Sequence, residues 1–509
     1  MRRVPALLLA GVFLLAAGPS AGAPEQYDAP GITLAELVQR NDAAEGDLQK
    51  GTYHIVRQAT DDGDVETRET YSTPQGYRTT DTVAGITSAW GASGGRSWIQ
   101  EPNGFVHLRS DATEHDPLAI ARDNPTAPSS GATLLGIATG TDPEYVVQLE
   151  PSPGLRELRY YDVKTYLLSR VATTGYDGHT HTTQYADYRS VFGETTAFEQ
   201  KSWSDYSTQI RTQRIVAFEK APDEPQRLAV PPSTTPFDLG GRDSIEIPAD
   251  FTIEGIIVRM NVGSRGLDLL LDSGASTIAL SDEVVRELGL TTHAAETRSM
   301  GGLFRTSLTR LSDVSIGPLR ARSAVVTALP FDYQIDDTSR AVGLLGCDFF
   351  ASGAVQVDFR KRRLVVYAKT PPNLIAEGWS KLPISVDECV PMAKATFSGR
   401  PGRFILDLGA YTNILYRHYF DAFDLPTKGV EDTLAAGFVG GEYVGLKQFR
   451  FRQLLLADLA IGGALIATPS TLHVQERDYD GLLGRQLLAD FDLIFDYAGG
   501  AVYLKPFDD

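Results

Sequence analysis

The feature that most constrains the fold of this chain is a repeat within its last 270 or so residues. Two stretches carry the same landmarks in the same order. The first holds Leu269-Leu270-Leu271-Asp272-Ser273-Gly274-Ala275, and the second holds Arg403-Phe404-Ile405-Leu406-Asp407-Leu408-Gly409-Ala410. Each is followed by a Gly-Gly pair, Gly301-Gly302 and Gly440-Gly441, and then by an apolar run ending in Ile316-Gly317 or Ile461-Gly462. Each then reaches Gly-Leu-Leu-Gly, at Gly343 to Gly346 and Gly481 to Gly484. Each closes on a strand pair around an aspartate, Val357-Asp358-Phe359 and Phe495-Asp496-Tyr497. The spacing from the aspartate to Gly-Leu-Leu-Gly is 71 residues in one copy and 74 in the other. Ordered landmarks at nearly equal spacing mark a duplicated unit, so two similar β-rich lobes are expected over 241–372 and 373–509.

An apolar strand that runs into Asp-x-Gly-Ala puts a carboxylate on a tight turn at the edge of a core. Gly274 and Gly409 let the backbone of one turn approach a second copy of it. Two such turns face to face bring Asp272 and Asp407 within a few ångströms. Both cannot ionise comfortably there, so they share one proton. The ionised member can take a proton from water while the protonated member polarises a carbonyl. This chemistry requires neither a cofactor nor a metal, and none is expected.

These motifs resemble those of the pepsin and retropepsin class of aspartic proteases, over roughly half the chain. Asp272-Ser273-Gly274-Ala275-Ser276 is similar to the family's Asp-Thr/Ser-Gly turn. The two Gly-Leu-Leu-Gly elements are similar to the apolar segment that threads behind that turn. The resemblance implies a bilobal acid-protease fold, a catalytic pair of Asp272 and Asp407, and support of the turns by Ser273, Gly274, Gly409, Gly346 and Gly484. It also implies substrate-covering flaps tipped by Gly301, Gly302, Gly440 and Gly441. A flap in each copy is more like a fused retropepsin dimer than a pepsin. Ala275 and Ala410 stand where pepsins carry a hydroxyl, as in retropepsins, so the pair is expected to titrate higher than in pepsins. Leu408 departs from the pattern, because the family has Thr or Ser there to reach across to the other lobe. Half of that brace is therefore missing. The rival reading is a binding module on a degenerate protease frame, with the N-terminal region taking an apolar ligand or a lipoprotein. Asp358 and Asp496 repeat too, but they precede the closing strands and read as structural.

Residues 24–220 read as a large antiparallel sheet, curved and with helices on one face. A helix is expected at 34–40, and strands at 51–56, 67–71, 97–100, 144–149, 158–161, 165–171 and 208–218. Many of these alternate polar and apolar residues. Asp62-Gly63, Asn103-Gly104 and Asp177-Gly178 are tight-turn dipeptides. In outline the region resembles the curved-sheet domains of periplasmic lipoprotein carriers, a likeness of strand spacing and not of motif. His179 and His181 sit beside a turn without further ligands nearby. Tyr160, Tyr161, Tyr166, Tyr185 and Tyr188 read as strand packing in preference to a groove. Five prolines in 221–240 mark an extended linker.

Met1-Arg2-Arg3, a short apolar run and the small residues Ser20 to Ala23 read as an export leader over 1–23. The mature chain is then expected in the periplasm or secreted. It is expected to be a monomer acting on a peptide or protein substrate, with no stable membrane insertion once the leader is removed. Losing Arg2 and Arg3 takes the net charge from −18 to −20, which argues against a nucleic-acid partner. The two cysteines, Cys347 and Cys389, are open to two readings: a disulfide or a pair of buried thiols.

Overall fold

A computed structural model describes residues 27–46, 51–61, 63–109, 117–152, 154–175, 178–205, 210–299, 302–335, 340–421, 432–437, 443–469 and 479–507. The expected leader lies outside the described residues. The chain is mainly β.

Among the described residues, fourteen strands between Tyr27 and Lys220 form one antiparallel sheet. Arg211–Lys220 pairs with Tyr53–Asp61, which joins a meander running back to Thr133–Ala138 with one running forward to Val106–Arg109. The helix Leu34–Glu45 starts on a capping box, with Thr33 accepting from the Glu36 N–H and Glu36 accepting from the Thr33 N–H. Its Leu37 and the Leu118 and Ala121 of a second helix, Pro117–Asp123, share one cluster with Tyr145, Val147 and Leu149. Those three residues alternate along one strand and so face the same side. Tyr161 belongs to the cluster, with Tyr166 and Tyr185 packed against it, so these tyrosines serve as packing.

Four of the seven expected runs lie within observed strands; 51–56 and 165–171 begin later, at Tyr53 and Leu168, and of 208–218 residues 208–209 lie outside the described residues. Residues 163–165 form a turn, because the Asp162 carboxylate accepts from the N–H groups of Lys164 and Thr165 and from the Thr165 hydroxyl. The strand therefore starts at Leu168, and the last one starts at Arg211. His179 pairs with Asp205 on an exposed turn, 3.1 Å away.

The linker is docked and not simply extended. It contains a short turn of 3₁₀ helix, Pro225–Leu228, and buries Leu228 and Phe237. The Asp238 N–H donates to the Arg320 carbonyl at 2.9 Å.

The duplicated unit is plain in the second half. In the first copy Ile256–Val262 and Arg265–Leu271 form a hairpin, and Leu271 pairs in parallel with Leu345 of Gly343–Leu345. In the second, Val390–Phe397 and Arg400–Leu406 form the hairpin, and Leu406 pairs in parallel with Leu483 of Gly481–Leu483. Both strands are covered on both faces, which explains their unbroken apolar runs. Leu269 and Leu271 enter the main core while Leu270 enters a smaller cluster. Phe404 and Leu406 divide from Ile405 in the same way. Each fully buried side chain of this size stabilises the fold by about 1.5–3 kcal/mol.

The copies meet in an antiparallel sheet whose central pairing is Ala354–Asp358 with Phe491–Asp496. Arg363–Tyr367 and Ser244–Ile247 extend it on one side, and Ala501–Pro506 and Ser380–Asp387 on the other. Asp358 accepts from the Lys361 N–H and Asp496 from the Gly499 N–H, so both carboxylates close the turns between these strands. A disulfide joins Cys347 of the first copy to Cys389 of the second, with Cα atoms 5.7 Å apart.

Candidate active site

The two aspartates end equivalent strands. The Asp272 N–H donates to Leu345 O and the Asp407 N–H to Leu483 O, so each turn hangs from the Gly-Leu-Leu segment of its own copy. The turns are drawn tight by their carboxylates. Asp272 Oδ1 accepts from the Gly274 N–H at 2.8 Å; Asp407 Oδ1 accepts from the N–H groups of Gly409 at 2.8 Å and Ala410 at 3.0 Å.

Each carboxyl lies against the glycine of the opposite turn, which brings the two together. The glycines make this possible. A Cβ on Gly409 would lie 2.3 Å from Asp272 Cγ, and one on Gly274 would lie 2.7 Å from Asp407 Cγ. Neither fits, so each glycine leaves the space that the opposite carboxyl occupies. Gly346 and Gly484 act behind the turns. Added Cβ atoms there would meet the carbonyls of Thr277 and Ala275 at 2.3 and 2.4 Å, and that of Thr412 at 2.7 Å.

Burial, then the neighbouring Asp407 carboxyl, hold Asp272 well above the usual carboxylate range. Burial raises Asp407 as well, opposed by the Ala410 N–H, the bond from Asp272 and the Gly409 N–H, which favour its charged form. Both carboxyls are therefore held above the ordinary range, and a buried pair this close titrates as one unit.

Ser273 is fully buried, and its hydroxyl crosses between the copies. It donates to Leu406 O at 2.7 Å and accepts from the Leu408 N–H at 2.9 Å. Leu408, also fully buried, returns no such bond.

Two residues that sequence reasoning missed compensate from the second copy. The Tyr497 hydroxyl donates to Ser273 O at 3.2 Å, and burial holds its phenol well above the ordinary range and so protonated. Arg485 follows Gly484 at the position that Cys347 occupies after Gly346. Its guanidinium donates to Ile253 O at 3.0 Å and to Glu254 O, both in the first copy. Equivalent positions thus staple the copies in both directions, once through Cys347–Cys389 and once through Arg485. The one available signal was Tyr497 standing where the first copy has Phe359, a hydroxyl gained in an otherwise repeated pattern.

Of the expected flap residues, Gly301, Gly440 and Gly441 lie outside the described residues. Gly302 opens the strand Gly302–Ile316, which pairs with His293–Ser299. The second copy pairs Asp432–Gly437 with Tyr443–Leu456.

Among the described residues, Glu101, His107 and Cys389 bring potential metal-binding atoms within 4.8 Å of one another. The Cys389 sulfur is bonded to Cys347 and supplies no thiolate there.

A family model described as aspartyl protease matches residues 256–349, the part of the first copy that holds Asp272 and its Gly-Leu-Leu-Gly. No curated protein matches. Among solved structures, the chain is similar to an aspartic proteinase from Irpex lacteus at 12% identity, over 52% of this chain and 98% of that one, with a TM-score of 0.34. It is also similar to a LolA superfamily protein from Nitrosomonas europaea at 11% identity, over 39% and 98%, with a TM-score of 0.31. A putative outer membrane lipoprotein-sorting protein domain from Vibrio parahaemolyticus matches at 11% identity, over 37% and 92%, with a TM-score of 0.29. At these scores the structural likenesses bear on neither mechanism nor substrate.

Proposed function

We propose that this chain is an aspartic endopeptidase in which Asp272 and Asp407 act as one acid–base unit. The observation that carries the reading is the reciprocal fit of the two turns, in which each glycine makes room for the opposite aspartate. The ionised carboxyl of the pair takes a proton from a water that attacks the scissile carbonyl. The protonated carboxyl donates its proton to the carbonyl oxygen, and the tetrahedral intermediate then collapses with proton transfer to the leaving amine. A substrate bound extended would add strand-like hydrogen bonds to the hairpins of the two copies. The proposed setting is the periplasm or the medium, as a monomer; among the described residues no helix is long and apolar enough to cross a membrane.

The second reading, a binding module on this frame, is favoured by Leu408. Cleavage of an unstructured protein by the purified chain, followed from pH 2 to pH 8, decides between them. The raised proton affinity of the pair moves the alkaline limb of activity upward, so the optimum is expected to be mildly acidic. A maximum near about pH 2, close to the lower pepsin value, would contradict the assigned electrostatics. No cleavage at any pH would contradict the protease reading.

A further inference from the structure

The turn between Arg96–Gln100 and Val106–Arg109 belongs to the N-terminal sheet, yet its side chains end in the first and second copies of the duplicated unit. It is closed by the Gly104 N–H on Glu101 O and the Glu101 N–H on Phe105 O, both at 2.8 Å. The linker holds it from outside, through the Thr234 N–H on Gly104 O and the Val106 N–H on the Ser233 hydroxyl.

From this turn Asn103 makes three hydrogen bonds into the first copy. Its Oδ1 accepts from the Val325 N–H at 2.8 Å, which fixes the orientation of the amide. Its Nδ2 then donates to Val325 O at 2.8 Å and to Asp348 Oδ1 at 2.9 Å. The other oxygen of Asp348 accepts from the Thr277 hydroxyl at 3.1 Å and the Ile278 N–H at 2.9 Å. Thr277 and Ile278 are the residues into which the Asp272 turn runs. Two residues after Asn103, Phe105 is 3% exposed and sits in the main core. Its ring centroid lies 6.4 Å from that of Tyr497, whose hydroxyl holds Ser273 O. One turn of the N-terminal sheet thus reaches both ends of the Asp272–Ile278 segment by separate routes.

The same sheet also touches the first copy's paired strands His293–Ser299 and Gly302–Ile316. Asp64 accepts from His293 Nδ1 at 2.9 Å, and Gly85 O accepts from Arg310 at 3.2 Å.

We propose that the Asn103–Phe105 turn is a built-in brace for the Asp272 turn, with Asn103 as a positioning residue, so that the N-terminal sheet takes part in the active site's alignment. The inference rests on the protease reading for its kinetic consequence but not for its structural one. Asn103 is too far along the bond chain to touch substrate; it acts through Asp348. Without it, a buried carboxyl loses a donor and the segment following Asp272 loses its anchor.

The test uses the full chain with Asn103→Ala, Asn103→Asp and Phe105→Leu, the last keeping an apolar side chain in the core. Steady-state kinetics and hydrogen–deuterium exchange of the amides from Asp272 to Ile278 are read together. Asn103→Ala is expected to lower kcat by about tenfold, the equivalent of one hydrogen bond to a carboxylate, with KM nearly unchanged and faster exchange across the segment. Phe105→Leu should change both in the same direction. Asn103→Asp should stay near the parent at acidic pH, where both its carboxyl and that of Asp348 hold a proton and the two can hydrogen-bond. It should lose kcat as pH rises and that carboxyl ionises beside Asp348 and Glu101, the latter paired with His107. Parental kcat and parental exchange in Asn103→Ala and Phe105→Leu would overturn the brace. So would an effect confined to KM. If the parent cleaves nothing, the protease reading fails by itself. Exchange then decides the brace alone: faster exchange in the variants upholds it and unchanged exchange overturns it.

Discussion

Gly409→Ala adds one methyl group where the second turn meets the Asp272 carboxyl. Its Cβ would lie 2.3 Å from Asp272 Cγ and 2.5 Å from both carboxyl oxygens, whereas ordinary contact begins near 3.4 Å. Relief requires a displacement of 3.4 − 2.3, about 1.1 Å, which falls on the Asp272 carboxyl or on the turn that carries it. A misplacement of about 1 Å at a reacting group can cost on the order of a hundredfold in rate. Gly274→Ala is milder, at 3.4 − 2.7, about 0.7 Å, against Asp407 Cγ. Both variants should therefore lose kcat, Gly409→Ala the more severely and by about a hundredfold. Stability should change little by comparison, because the clash is with the end of a side chain whose charge repulsion is itself a cost. Peptidase assays paired with thermal unfolding read both quantities. A Gly409→Ala enzyme with parental kcat would refute the claim that the glycines exist to admit the opposite carboxyl.

The Cys347–Cys389 bridge closes a loop of 42 residues between the copies, and the chain-entropy model gives it about 4 kcal/mol. Urea unfolding with and without reductant should show a matching loss, reproduced by Cys347→Ala/Cys389→Ala; an unchanged midpoint would contradict the bridge. Asp348, which burial raises to about 6 from 3.8, binds more protons folded than unfolded between those values. Its contribution is complete below about pH 4 and lost as pH rises through about 6, a change of about 3 kcal/mol at 1.36 kcal/mol per unit. Asp348→Asn should flatten that part of the stability–pH curve, and an unaltered slope would contradict the assignment.

The duplicated frame was legible because it is written in local patterns. Leu269–Leu271 and Phe404–Leu406 are apolar throughout, since each strand is buried on both faces. Each Gly-Leu-Leu-Gly ends in a glycine because neighbouring carbonyls fill the space of a Cβ. The N-terminal sheet was less legible. Strands such as Asp64–Thr73 and Gly76–Val83 are held by polar cross-strand pairs, Thr70 with Thr79 and Arg68 with Asp81, and carry little hydrophobic alternation. Asn103 was recognised as half of a turn dipeptide, but its partners Val325 and Asp348 lie 222 and 245 residues away. Arg485 and Tyr497 likewise act on a different copy from their own. Contacts of that range leave no mark in local spacing. The absence of a hydroxyl at Leu408 was visible, while the bond from Tyr497 that partly replaces it was not.

The central claim is that Asp272 and Asp407 form one acid–base unit, and the most direct measurement is turnover of Asp272→Asn, Asp407→Asn and the double variant at the pH optimum of the parent. Either single change keeps size and shape but removes the exchangeable proton system, so each should abolish nearly all hydrolysis, and the double variant should be hardly worse than either. Folding should survive in all three, because removing one of two like charges relieves repulsion. Substantial hydrolysis by Asp407→Asn alongside an inactive Asp272→Asn would contradict the account, leaving the second copy as a scaffold for a single catalytic aspartate.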